Sequence, residues 1–83
     1  MKKTRGRKKI YPEREKEIFE YIVEYKKINK YSPTVREIGA YMKILSVSLI
    51  LFYLDNLEKK DFIKRNKNKY RTIITLKNGW NDD

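Results

Sequence analysis

Residues 32–39, Ser-Pro-Thr-Val-Arg-Glu-Ile-Gly, contain the signals that decide how this chain folds. Thr34 and Glu37 match a capping box, in which the Thr hydroxyl accepts from the Glu37 N–H and the Glu carboxylate accepts from the Thr34 N–H. Pro33 favours extended backbone ahead of the cap and blocks a helix arriving from upstream. The sequence therefore predicts a short helix over about 35–42.

A second helix start follows at Ser46, only a few residues after the first helix ends. It opens residues 47–60, in which Ile50, Leu54 and Leu57 recur at helical spacing and predict the buried stripe of another helix. Two helices joined by so tight a turn make a helix-turn-helix.

Two β-prone runs, residues 62–65 and 71–76, flank the polar turn Asn-Lys-Asn-Lys at 66–69 and predict a hairpin. Upstream, Tyr11-Pro12 followed by acidic residues favours a first helix, since Pro suits its first turn and acids suit its dipole. The stripe expected to be buried on that helix comprises Ile18, Tyr21, Ile22, Tyr25 and Ile28, with Phe19 and Val23 beside it. The predicted fold class is α+β: a three-helix winged helix-turn-helix with a C-terminal two-stranded β-hairpin wing.

The ordered set of residues 33–39, Leu54, 57–60, 62–65 and Arg71 closely resembles the N-terminal DNA-binding domain of the LexA repressor family. This family carries a C-terminal self-cleaving peptidase with a Ser–Lys pair, and the chain ends where that domain would begin. The resemblance therefore implies DNA binding without self-cleavage.

The chain departs from the family at two turn positions, where Lys43 and Asp61 stand in place of glycine. We expect three segments: a flexible basic arm over 1–9, the winged helix-turn-helix DNA-binding domain over 10–76, and a tail over 77–83. Trp80 in the tail is expected to cover the edge of the core or to make a dimer contact.

The chain has 83 residues and a formal net charge of +10, and the charge is concentrated. Residues 1–9 hold six basic side chains and no acidic one, and residues 59–71 hold seven basic side chains and one acidic. Charge runs often only solvate a surface. Two basic blocks that flank a nearly neutral helix are, however, typical of a phosphate-binding surface.

Cysteine and histidine are absent, which excludes thiolate nucleophiles, imidazole bases, disulfides and the usual zinc ligands. We therefore expect no catalytic residues, no metal and no cofactor, and predict that the protein is not an enzyme. No signal peptide or membrane-spanning run is present, so no membrane partner is expected. The expected location is the cytoplasm, with a bacterial, plasmid or phage origin.

The third helix carries the predicted recognition face. Transferred by position from the family, the base-contacting places fall on Ser46, Ser48, Leu49, Leu51 and Phe52, with Lys59 farther along the same face. Hydroxyls suit base edges and phosphates. The three apolar residues have three explanations: contact with thymine methyl groups, contact with a protein partner or a second copy, or a shifted helix register that buries some of them.

The predicted wing contacts are Lys64, Arg65, Lys67, Lys69 and Arg71, all long cations suited to phosphates beside the recognition helix. The predicted arm contacts are Lys2, Lys3, Arg5, Gly6, Arg7, Lys8 and Lys9. Arg5-Gly6-Arg7 resembles the core of an AT-hook, although Lys8 replaces the usual Pro. Such an arm either enters a narrow minor groove or contacts phosphates generally.

These patterns together predict sequence-specific binding of double-stranded DNA by a small transcriptional repressor, with a homodimer forming on DNA. Dimer contacts would be weak or would use Leu51, Phe52 or Trp80. Two alternatives stay open at this point. One is a protein-interaction module that uses the apolar face of the third helix, and the other is non-specific coating of nucleic acid.

Overall fold

The computed structural model describes residues 11–66 and 71–80 of the chain. It contains three helices, α1 (Pro12–Asn29), α2 (Val35–Met42) and α3 (Val47–Lys59), followed by the strands β1 (Ile63–Lys64) and β2 (Ile74–Thr75). The strands pair antiparallel, with Ile63 opposite Thr75 and Lys64 opposite Ile74. The predicted α+β winged helix-turn-helix is confirmed.

Both predicted helix starts in the helix-turn-helix have side-chain caps. The Thr34 hydroxyl accepts from the Glu37 N–H at 3.1 Å, and the Glu37 carboxylate accepts from the Thr34 N–H at 2.9 Å. At α3, the Ser46 hydroxyl accepts from the Leu49 N–H at 3.1 Å. These bonds satisfy backbone donors that an uncapped helix leaves without partners.

The turn between α2 and α3 begins at a left-handed residue, Lys43, which has φ 59°. Asp61, after α3, is also left-handed, with φ 65°. Both residues replace a glycine of the family, and glycine adopts a positive φ more easily. A Cβ on Gly39 would lie 3.0 Å from the Ile44 carbonyl oxygen. Gly39 therefore lets the turn fold closely back onto α2.

The core lies where the three helices meet the wing. Its buried apolar residues are Ile18, Phe19 and Ile22 of α1; Ile38 and Met42 of α2; Ile50, Tyr53, Leu54 and Leu57 of α3; and Phe62, Ile63 and Ile73 of the wing. The predicted stripe of α3 is confirmed. The prediction for Ile28 is wrong, since its side chain is 69% exposed. Ile28 lies in the last turn of α1, which is longer than the helices it packs against.

The wing strands are shorter than predicted, at two residues each. Arg71 has φ 54°, which is incompatible with an extended strand at that point. The Thr72 hydroxyl instead accepts from the Asn66 N–H at 3.1 Å and donates to the Asn66 carbonyl at 2.9 Å. Hydrogen bonds of the Thr72 side chain thus extend the pairing of the hairpin beyond its two-residue strands.

Trp80 packs against the wing side of the core. Its ring stacks on Phe62 with centroids 4.7 Å apart and an interplanar angle of 11°, and it lies 6.4 Å from the ring of Phe19. This placement agrees with the prediction that Trp80 covers the edge of the core.

A buried carboxylate joins α1 to the end of α3. Glu15 is fully buried, accepts a hydrogen bond from the Asn56 amide, and lies 2.7 Å from Lys60 Nζ. The sequence analysis treated Glu15 only as a favourable residue in the first turn. Its position three residues before Ile18 places it on the buried stripe, so helical spacing alone was a signal that it faces inward.

Candidate nucleic-acid interface

The predicted recognition residues of α3 do not all face solvent. Ser46 and Ser48 are exposed, and their hydroxyl oxygens lie 3.2 Å apart. Leu49 is half-buried and packs against the core, although the helix register is not shifted, since Ile50, Leu54 and Leu57 are buried as predicted. Leu51 and Phe52 remain 40% and 38% exposed.

Two further apolar side chains extend this exposed surface. Leu45 in the turn is fully exposed, and Val47 at the start of α3 is half exposed. We call Leu45, Val47, Leu51 and Phe52 the apolar tip. The sequence analysis missed Leu45 and Val47 because a turn residue and a first-turn residue carry little periodic signal.

Several cations of the helix-turn-helix and the wing are exposed. Arg36, Lys43 and Lys59 of the helix-turn-helix and Lys64 of β1 are all exposed. Arg36 and Lys43 line a shallow groove together with Leu45 and Val47. Apolar side chains and positive charge therefore meet in this groove.

Arg65 does not join these exposed cations, which corrects its predicted role as a free wing contact. Its side chain is only 7% exposed. The guanidinium pairs with Asp55 of α3, and its Nε lies 3.1 Å from a carboxylate oxygen of Glu58. Arg65 therefore fixes the base of the wing to α3.

Arg71 is likewise engaged within the domain. It donates to both carboxylate oxygens of Glu37 at 3.1 Å, and its Nη1 also donates to the Ser32 carbonyl at 3.1 Å. The guanidinium lies over the ring of Tyr31, 4.6 Å from its centroid, and reaches the Tyr25 hydroxyl at 3.3 Å. These donors hold the wing to the start of α2, and the predicted DNA contact of Arg71 stays a prediction.

Glu37 consequently has two tasks, since it completes the capping box with Thr34 at the start of α2 and pairs with Arg71. The hydrogen bond from the Thr34 N–H, followed by that from Arg71, lowers the pKa of Glu37. Hydrogen bonds to Tyr25 and then Glu37 raise the pKa of Arg71, which stays charged at all ordinary pH values.

The other predicted contacts, Lys67, Lys69 and the arm residues of segment 1–9, lie outside the described residues. In the described part of the chain, no group of three or more acidic, His or Cys side chains is arranged to hold a metal ion. No single described helix is long and apolar enough to span a membrane. Only α2 and α3 taken together pass that test by length and composition, and they meet at a bend of 104°.

Three helices, two of them joined by a tight turn, and a short antiparallel wing define a winged helix-turn-helix domain. The family described as "LexA DNA binding domain" matches residues 9–72. The chain therefore belongs to the LexA DNA-binding domain family.

Similar proteins include several bacterial LexA repressors. The LexA repressor of Exiguobacterium sibiricum is 43% identical over 63 residues, which cover 76% of this chain and 31% of the relative. That of Shouchella clausii is 40% identical over 70 residues, covering 84% and 34%. That of Staphylococcus aureus strain Mu50 is 36% identical over 70 residues, also covering 84% and 34%. The chain thus spans about a third of the length of the curated relatives it matches.

Proposed function

We propose that this protein binds double-stranded DNA sequence-specifically and acts as a transcriptional repressor rather than an enzyme. The observation that carries the proposal is the exposed outer face of α3, which has Arg36 and Lys43 in a groove beside its N-terminal end and Lys59 in its last turn. In a helix-turn-helix, the N-terminal part of the second helix contacts base edges in the major groove while cations contact phosphates. Membership of the family and the repressor names of its relatives support this function.

The remaining cations extend the interface along the DNA. Lys64 contacts phosphates from β1, and Lys67 and Lys69 contact them from the wing. The arm contributes through Lys2, Lys3, Arg5, Arg7, Lys8 and Lys9, with Gly6 allowing a close approach, either in a narrow minor groove or on phosphates. Arg65 and Arg71 act indirectly by holding the wing in position.

A repressor of this kind acts on bacterial DNA in the cytoplasm and binds its operator as a homodimer. Two-fold operators read by helix-turn-helix dimers have half-sites about one helical turn, roughly 34–36 Å, apart or at multiples of that spacing. A selected site with inverted symmetry would support this arrangement, and a single unsymmetrical site would count against it.

The test of the proposal is selection of bound duplexes from a random-sequence pool at near-physiological salt, followed by sequencing. We expect one enriched site. The variant Ser48→Ala should then weaken binding to that site more than to random DNA, whereas Lys64→Ala should weaken both alike and reduce the salt slope by about 1. Steep salt dependence without an enriched site would instead indicate non-specific coating.

A second function, docking of a protein partner on α3, is supported by the exposure of Leu45 and Phe52. Phe52→Ala separates the two functions. Loss of self-association or partner binding with full DNA affinity would favour docking, whereas loss of DNA affinity alone would favour DNA recognition.

A further inference from the structure

We propose that the apolar tip reads the 5-methyl groups of thymine in the major groove, so that the preferred site is defined chiefly by thymines. This inference rests on the proposed DNA-binding function and names the base chemistry that the function uses. Leu45, Val47, Leu51 and Phe52 are the residues that would make these contacts.

The first support is the position of the tip. Leu45 is fully exposed, and Val47 and Leu51 lie four residues apart, on one face of α3. Phe52 lies on the other side of the exposed Ser48, on the outer face away from Ile50 and Leu54, which are buried. The N-terminal end of α3, which contacts base edges in a helix-turn-helix, therefore exposes hydrocarbon on both sides of Ser48.

The second support is the small supply of hydrogen-bonding groups at this end. Between Leu45 and Phe52, only Ser46 and Ser48 have polar side chains. The Ser46 hydroxyl oxygen already accepts from the Leu49 N–H. One of the two serine hydroxyls also donates to the other, with their oxygens 3.2 Å apart. Bidentate recognition of guanine or adenine needs Arg, Lys, Asn or Gln, and none occurs here.

The third support is the match with what DNA presents. The thymine methyl group is the apolar group that a base pair displays in the major groove. The exposed cations Arg36 and Lys43 line one groove with Leu45 and Val47 and favour a polyanion as the occupant. Hydrocarbon beside positive charge therefore fits thymine-containing DNA better than an uncharged protein surface.

The experiment is a pair of parallel selections, one from a random pool containing thymine and one from a pool with deoxyuridine in its place. Deoxyuridine keeps the hydrogen-bonding pattern of thymine and lacks only the methyl group. We expect a site to be enriched from the thymine pool and lost or strongly weakened in the deoxyuridine pool. Equal enrichment of one site from both pools would overturn the inference and leave the proposed function standing. Failure to enrich from either pool would remove both.

A coupling measurement then locates the contact. In the selected duplex, replacing one contacted thymine by deoxyuridine should weaken binding of the unaltered protein about fourfold, the effect of one buried methyl-sized group. One of the variants Leu45→Ala and Leu51→Ala should lack the side chain that contacts this thymine. That variant should bind the thymine and deoxyuridine duplexes with equal affinity. Ile28→Ala, which alters an exposed apolar residue on α1, is the matched control and should keep the fourfold loss. An undiminished loss in every tip variant, Val47→Ala and Phe52→Ala included, would overturn the inference.

Discussion

At the base of the wing, the Arg65 side chain is turned inward against Asp55 and Glu58, whereas at the start of α3 the Leu45 side chain is fully exposed. Arg71 is also engaged in the domain, through Glu37 and the Ser32 carbonyl. Cations thus hold the scaffold together in one region while hydrocarbon faces outward in the other. Residue type alone is therefore a poor guide to which side chains contact a ligand, because the partners available nearby decide where each side chain goes.

The largest effect should follow from breaking the inward-turned region. Arg65→Met keeps most of the hydrocarbon stem but removes the cation that pairs with Asp55 and Glu58. It should lower the free energy of unfolding by about 2 kcal/mol. This loss is smaller than for a fully buried ion pair because both acids are partly exposed. Lys64→Met removes the same charge from the neighbouring exposed position and should change stability by less than about 0.5 kcal/mol. Urea unfolding of the two variants tests this, and equal losses would contradict the structural role of Arg65.

A smaller effect, of opposite sign, is expected beside the apolar tip. Lys43 has φ 59°, so Lys43→Gly should raise the free energy of unfolding by about 1 kcal/mol by removing the strain on Cβ. Lys43→Ala loses the same amine but keeps Cβ, and should give no such gain. Both variants should bind DNA more weakly because a cation near the tip is lost. A stabilised Lys43→Gly with undiminished DNA affinity would place Lys43 outside the interface.

The smallest effect concerns the pH dependence of the contact between wing and α2. Folding lowers the pKa of Glu37. The ionised Glu37 therefore stabilises the folded state at pH values above its pKa in the unfolded chain, about 4.3. This stabilisation is lost as the pH falls through the lower pKa of the folded state. Glu37→Gln keeps a capping side chain without the charge, so the stability difference between the unaltered protein and this variant should shrink between about pH 6 and about pH 3. When Arg71 is replaced by Ala, the pH-dependent part of this stability difference should become smaller. The part that comes from the hydrogen bond of the Thr34 N–H to Glu37 should remain. A difference that grows on acidification would contradict this account.

Local signals in the sequence were sufficient for most of the fold. The capping box at Thr34 and Glu37 and the stripe of Ile50, Leu54 and Leu57 depend on residues three to seven positions apart, and both are confirmed. Lys43 stands where the family has a turn glycine, and the structure places it in the left-handed region that glycine favours. Short-range patterns of this kind act within one element and do not require knowledge of its neighbours.

The sequence could not predict the contacts of side chains whose partners come from other elements. Arg65 was assigned to a free wing surface, but its partner Asp55 lies ten residues earlier on α3. Arg71 meets Glu37 from a position 34 residues away in sequence. A sequence pattern indicates that such residues are charged, but only the packing of wing against helix determines whether the charge faces DNA or an internal carboxylate. The roles of the α3 and arm residues in DNA binding stay predictions.

The central claim is that the outer face of α3 distinguishes one DNA sequence from another. The most direct test is the ratio of affinities for the selected duplex and a scrambled duplex of equal composition, measured for the unaltered protein and for Leu51→Ala at the same salt concentration. We predict that the ratio falls in Leu51→Ala while affinity for the scrambled duplex is unchanged, because phosphate contacts are retained. An unchanged ratio, with both affinities equal to those of the unaltered protein, would contradict the claim that this face reads DNA.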